Sequence, residues 1–224
     1  MSPEPFYQST SQINSGYLSK DFAPDGNLEK SAWKKAERQH CDVDWNSGQR
    51  IHEAETYVAS LWSTSQVYFA FWCKYGVLNI YEGEGTSKER WELWNRDVVE
   101  VFLNPDPRRP LHYYEFEVSP NNQWIDLEIN KEKEPFNEAG WDSGFEHATR
   151  VDSKNHLWTC EMKISLKSLR VDGLRPGQEW RLNLYRADGP GDDSQRRFMS
   201  WSPNPGSKPS FHQPEGFGLI RFVK

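Results

Sequence analysis

Short runs of β-branched and aromatic residues, divided by polar, Gly and Pro breaks, follow one another from residue 56 to residue 223, with no long amphipathic helical pattern between them. A chain written this way pleats, because β-branched and aromatic side chains fill half-buried sheet surfaces. Residues 56–62 and 67–75, divided by the polar Ser63-Thr64-Ser65, read as a hairpin. Further strands are expected at 98–103, 113–118, 124–129, 145–151, 157–164, 180–186, 198–201 and 219–223. In 157–164 the residues Trp158, Cys160, Met162 and Ile164 alternate with Thr159, Glu161 and Lys163, which predicts one buried and one wetted face. In 67–75 the core face is Val67, Phe69, Phe71 and Cys73. Residues 84–93 and 165–169 read as short helical turns. The series predicts an all-β fold, a single antiparallel β-sandwich of immunoglobulin-like type.

A length of 224 residues suits one domain. Residues 1–21 are polar and Ser-rich and read as an N-terminal arm, leaving 22–224 for the sandwich. Apolar residues make up only 36%, but 11 Trp, 12 Phe and 9 Tyr supply the bulk a core needs, with rings to spare for a surface. A net charge of −6 with interspersed signs offers no basic stripe, so nucleic acid is not an expected partner. No run approaches the roughly 18 apolar residues of a membrane span, and the first residues lack the basic flank and apolar stretch of a signal peptide. As written, the chain reads as cytoplasmic. Cys41, Cys73 and Cys160 are odd in number and lack CxxC spacing, against a disulfide framework or zinc site. Cys73 and Cys160 read as small core residues.

Two aromatics, Trp94 and Phe211, fall just outside predicted strands, where a ring has no obvious core to fill. A flat apolar ring at a sheet edge suits the C–H face of a sugar, while planar carboxylates suit its hydroxyls. Glu100 alternates with Val99 and Val101 and so faces away from the core. Trp91 and Trp141 are loop rings that could extend a site, and Trp33 and Trp201 read as structural. Asp188, Asp192 and Asp193 form an acidic loop, a weak calcium candidate without EF-hand spacing, for which a solvated loop is the favoured reading. Glu100 and Glu117 on adjacent strands also invite a glycosidase reading, which has no further support.

Several segments, in order, resemble the family 9 carbohydrate-binding modules, whose fold is a DOMON-like β-sandwich. They are Asp25-Gly26-Asn27-Leu28 with Trp33; Val67-Tyr68-Phe69-Ala70-Phe71; the run from Trp94 through Asp97-Val98-Val99-Glu100-Val101-Phe102; Glu161-Met162-Lys163-Ile164; and Ser200-Trp201-Ser202 followed by Phe211, Pro214 and Phe217-Gly218. The resemblance spans about residues 22–224 and is most specific in the Asp97–Phe102 stretch. It implies non-catalytic binding of a mono- or oligosaccharide end between Trp94 and Phe211, with Glu100 reading hydroxyls. Where the family pattern carries an Arg in the next strand, this chain has Glu117, and Arg96 or Arg186 is left to supply a cation. The resemblance also implies calcium sites whose ligands it does not map, association with a carbohydrate-active enzyme, and the export usual in the family. A DOMON-like b-type haem domain for electron transfer is the alternative, with Met199 and one of His147, His156 or His212 as axial ligands; haem is the less favoured cofactor because a lone Met beside a Trp usually packs. A third reading is an interaction domain whose exposed aromatics meet a protein.

Overall fold

In a computed structural model, which describes residues 6–83, 88–138, 140–191, 194–204 and 210–224, strands follow one another along almost the whole chain. They are β1 (Gln12–Tyr17), β2 (Gln39–His40), β3 (Val43–Asp44), β4 (Thr56–Trp62), β5 (Gln66–Lys74), β6 (Val98–Asn104) and β7 (His112–Val118). There follow β8 (Trp124–Asn130), β9 (Asn137–Glu138), β10 (Glu146–Asp152), β11 (Leu157–Ser165), β12 (Glu179–Asp188), β13 (Arg197–Ser200) and β14 (Gly218–Val223). Among the described residues the one α-helix, α1 (Ser31–Lys35), is a little over a turn long and seats Trp33 in the interior.

One hydrogen-bonded path runs β10-β11-β5-β4-β1-β14-β12-β6-β7-β8-β9 and folds on itself about β1 and β14. The main core lies between the two halves. Phe69 and Phe71 of β5 and Trp158 and Met162 of β11 meet Val99 and Val101 of β6, Phe116 of β7 and Leu184 of β12. The fold is therefore a β-sandwich, and each predicted strand is present within a residue or two of its expected bounds. The 56–62 and 67–75 runs do form a hairpin, closing with Trp62 opposite Val67.

Two corrections concern the N-terminal segment. Residues 12–17, placed in the arm, form β1, and β1 runs parallel to both β14 and β4 in an otherwise antiparallel sheet. Only Ile13 and the terminal Tyr17 are apolar there, so backbone pairing on both edges rather than side-chain pattern holds the strand. Glu161, expected on a wetted face, is fully buried. Residues 22–33 cross the outer face of β4 and β5 and pack Phe22, Leu28 and Trp33 on Leu61, Tyr68 and Trp72. Four donors from this segment then converge on the Glu161 carboxylate: the backbone N–H groups of Asp25 and Gly26, the ammonium of Lys30 and the indole of Trp33. Gly26 has φ +73°, and a Cβ there would sit 2.7 Å from the Thr149 carbonyl carbon, so close approach and backbone conformation both require glycine.

The expected helical turn before Trp94 reduces to a 3₁₀ turn at Leu93–Asn95, with 84–87 outside the described residues. Residues 166–170 form turns that drop Leu166 and Leu169 into the main core. All three cysteines are buried and free. Among the described residues, no helix is long and apolar enough to cross a membrane.

Candidate functional site

The other half of the sandwich also has an outer face that is not left to water. Because side chains alternate along a strand, Val98, Glu100 and Phe102 of β6 share this face with Tyr113, Glu115 and Glu117 of β7. Ile125 and Leu127 of β8 and Tyr185 and Ala187 of β12 complete it. In register, Glu100 lies opposite Glu117, and Phe102 opposite Glu115. Loops then rise around the face and leave a pocket of about 370 Å³.

Aromatic rings wall this pocket. Trp94, on the turn that precedes β6, lines one part and is braced edge-on by Trp91 at 5.1 Å. Phe211 lines it from the C-terminal loop and stacks on Tyr185, centroids 4.1 Å apart and planes 14° from parallel. Trp45, which follows β3, stands edge-on to Phe211 at 5.1 Å and stacks on Phe198 at 4.4 Å. These contacts lock the rings in place, so they form a wall without first losing rotamer freedom.

The floor is acidic. Glu100 and Glu115 line the pocket and Glu117 lies beside them, all three buried, with one oxygen of each carboxyl within 4.8 Å of the others. Burial, more than mutual repulsion, pushes Glu100 and Glu117 well above the usual carboxylate range and Glu115 up to about 7. Such a group titrates as a set. In its partly protonated form it both donates and accepts hydrogen bonds, as vicinal hydroxyls require.

The cation at the pocket is Arg196. Its Nη2 donates to the carbonyls of Trp94, at 2.7 Å, and Arg96, at 2.8 Å, and its charge draws the Glu100 pKa back down. The guanidinium therefore braces the Trp94 turn just ahead of β6. His212 completes the rim. Burial, and then Lys131, lower its pKa to about 4, so the ring is neutral at pH 7. Its Nδ1 shares a hydrogen bond with the Tyr113 hydroxyl at 2.7 Å, and its Nε2 lies 3.8 Å from Glu115.

Of the residues singled out in the sequence, Trp94, Phe211 and Glu100 meet at this pocket. Glu117 is on the same face but behind the lining. Arg96 does not reach the pocket: its guanidinium lies 4.5 Å from the Tyr81 ring and donates to the Asn95 carbonyl. Arg186 is on the opposite face of β12, fully buried, donating to Thr56, to the carbonyls of Ala54 and Lys74, and to Asp188. Asp188 is held between Arg186 and Arg197, and two guanidinium groups leave it poorly disposed to ligate calcium. Asp192 and Asp193 lie outside the described residues. Trp141 packs on Tyr114 at the end of the main core and does not extend the site. For the haem alternative, Phe198 lines the pocket and its buried strand neighbour Met199 points to the opposite face, away from His212.

The sequence does not single out Glu115, Trp45, Phe198 or Arg196, and it offers His212 only as a haem ligand. Glu115 was accessible, since it is two residues before Glu117 on a pleated strand. The others come from loops and from the short strand β13, whose positions no local pattern specifies.

The family described as Carbohydrate family 9 binding domain-like matches residues 25–224. A protein of Arthroderma benhamiae, named as an extracellular protein, is 31% identical over 143 residues; the match spans 59% of this chain and 63% of that protein's length. Among solved structures, a protein of Bacteroides uniformis is 18% identical, with a TM-score of 0.76 over 96% of this chain and 100% of the other. A carbohydrate binding module family 9 from Caldicellulosiruptor kristjanssonii is 17% identical in its complex with cellotriose, with a TM-score of 0.66 over 95% of this chain and 94% of that one. In its complex with glucose the identity is 18% and the TM-score 0.66, over 95% of each chain.

Proposed function

The chain belongs to the carbohydrate family 9 binding domain-like family, and we propose that it is a non-catalytic module whose aromatic pocket grips the end of a mono- or oligosaccharide. The observation that carries this reading is the convergence of Trp94, Phe211 and Trp45 with Glu100 and Glu115 on one pocket of about 370 Å³, at the small end of the range for ligand sites. The rings offer apolar faces to a pyranose, and the carboxyls offer acceptors and donors to its rim. A structural neighbour solved with cellotriose and with glucose supports the ligand class.

The acidic floor favours holding over cleaving. A glycosidase needs carboxyls roughly 5–9.5 Å apart with the scissile bond between them. Here one oxygen from each of the three carboxyls lies within 4.8 Å of the others, and all three project from neighbouring strands of one sheet face rather than from opposite walls of a cleft. A module of this kind concentrates a carbohydrate-active enzyme on its substrate, which is the partnership we assign to it.

Isothermal titration calorimetry against glucose, cellobiose, cellotriose and a panel of other sugars tests the reading, with Trp94→Ala as the control. Saturable binding that the variant loses supports it. No binding to any sugar, or unchanged binding by the variant, removes it.

A further inference from the structure

Resting on the sugar-binding reading, we infer that the pocket selects a sugar carrying an ammonium group, a 2-amino-2-deoxy sugar or an oligomer of one, over its neutral counterparts. The lining brings two carboxyls, Glu100 and Glu115, to the floor, and Glu117 stands against them from the same face. All three side chains are more than nine-tenths buried; among the described residues Glu100 Oε1 has no hydrogen-bond partner, and Glu115 Oε2 and the Glu117 oxygens meet no donor except through a proton shared between those two carboxyls. Buried acceptors left in this state are costly, and they mark a place built for a donor that arrives from outside.

Charge decides which donor. The cation on the lining, Arg196, directs its Nη2 to two backbone carbonyls. His212 is neutral at pH 7, and Lys131 donates to the His212 carbonyl from an exposed position. Three carboxyls thus face one guanidinium. A hydroxyl brings a single donor and no charge, whereas an ammonium brings three donors and a positive charge that favours the ionised form of these partly protonated carboxyls. The surrounding rings favour the same choice, since aromatic faces attract cations as well as C–H groups. A hard metal ion fits less well. Calcium takes six to eight oxygens, and the residues that flank Glu115 across the sheet are the apolar Phe102 and Leu127.

The test is calorimetry of the full chain at neutral pH with glucosamine, N-acetylglucosamine, glucose and the glucosamine dimer, and separately with calcium chloride. N-acetylation removes the charge and keeps the ring, so it isolates the ammonium. We expect glucosamine to bind at least about tenfold more tightly than glucose or N-acetylglucosamine, the size of effect a charge-assisted hydrogen bond gives. Glu117→Gln, nearly isosteric, is expected to bring the ratio towards unity. Equal or tighter binding of the neutral sugars overturns this inference and leaves the sugar-binding reading standing. Absence of binding to every sugar removes both. Tight calcium binding that excludes glucosamine reassigns the carboxyls to a metal and also overturns it.

Discussion

The indole Nε1 of Trp33 donates to Oε1 of Glu161 across 2.6 Å, in a position closed to solvent, joining the covering N-terminal segment to the face of β11. The same carboxylate takes the N–H groups of Asp25 and Gly26 and the Lys30 ammonium. Two motifs far apart along the chain, Asp-Gly with Trp33 and the Glu161 strand, are thus two halves of one contact. Glu161→Ala leaves the ammonium and three N–H donors without their acceptor. We expect it to cost about 3–5 kcal/mol, the usual penalty for breaking a buried pair, with Glu161→Gln costing less because an amide still accepts. Urea denaturation monitored by tryptophan fluorescence measures both.

Trp94 and Phe211 separate binding from folding. Trp94 is half-buried at the margin of the second apolar cluster and is braced by Trp91, so Trp94→Ala should weaken sugar binding at least tenfold and lower stability by only about 1 kcal/mol. Phe211 stacks on the fully buried Tyr185, so Phe211→Ala should lower both affinity and stability, the latter by about 2–4 kcal/mol. Paired calorimetry and thermal melts distinguish the two; equal stability losses would contradict the assignment.

Glu115 gives a pH dependence of definite sign. Its folded-state pKa, raised to about 7 by burial, exceeds the ordinary glutamate value, so the folded state holds more protons than the unfolded chain between about pH 4.5 and 7. Its contribution to stability is complete below that window and is lost as pH rises through it. His147 and His212, buried with pKa values lowered to about 4, act in the opposite direction, destabilising the fold as pH falls from about 6.5 towards 4. Comparing Tm at pH 5 and 7.5 in the wild type and in Glu115→Gln isolates the carboxyl: the variant should lose less stability, or gain more, on going to pH 7.5.

Arg186 and Asp188 pair inside the sandwich, with Arg186 also donating to Thr56 and to the Ala54 and Lys74 carbonyls. Arg186→Met removes four acceptors' donor and leaves Asp188 with Arg197. An unfolding free energy lower by about 3–5 kcal/mol is expected, with sugar binding retained in whatever fraction is folded, because Arg186 faces away from the pocket.

The positions of the strands were readable from the chain alone because alternation is a local property: Trp158, Cys160, Met162 and Ile164 point inward whatever surrounds them. The same alternation put Glu100 on the face away from the core. It did not say what would cover that face. Glu161 and Glu100 occupy equivalent outward positions, and the tertiary structure alone decided that one is capped by four donors while the other is left facing an aromatic pocket. The cation was misassigned for the same reason. Arg96, Arg186 and Arg196 are equally charged in the sequence, and only the path of the loops turns the first onto Tyr81, buries the second on the opposite face, and sets the third at the pocket. Periodicity carries across neighbouring residues; which loop closes over which face depends on contacts between segments a hundred residues apart, and these come into being only when the sheet folds on itself.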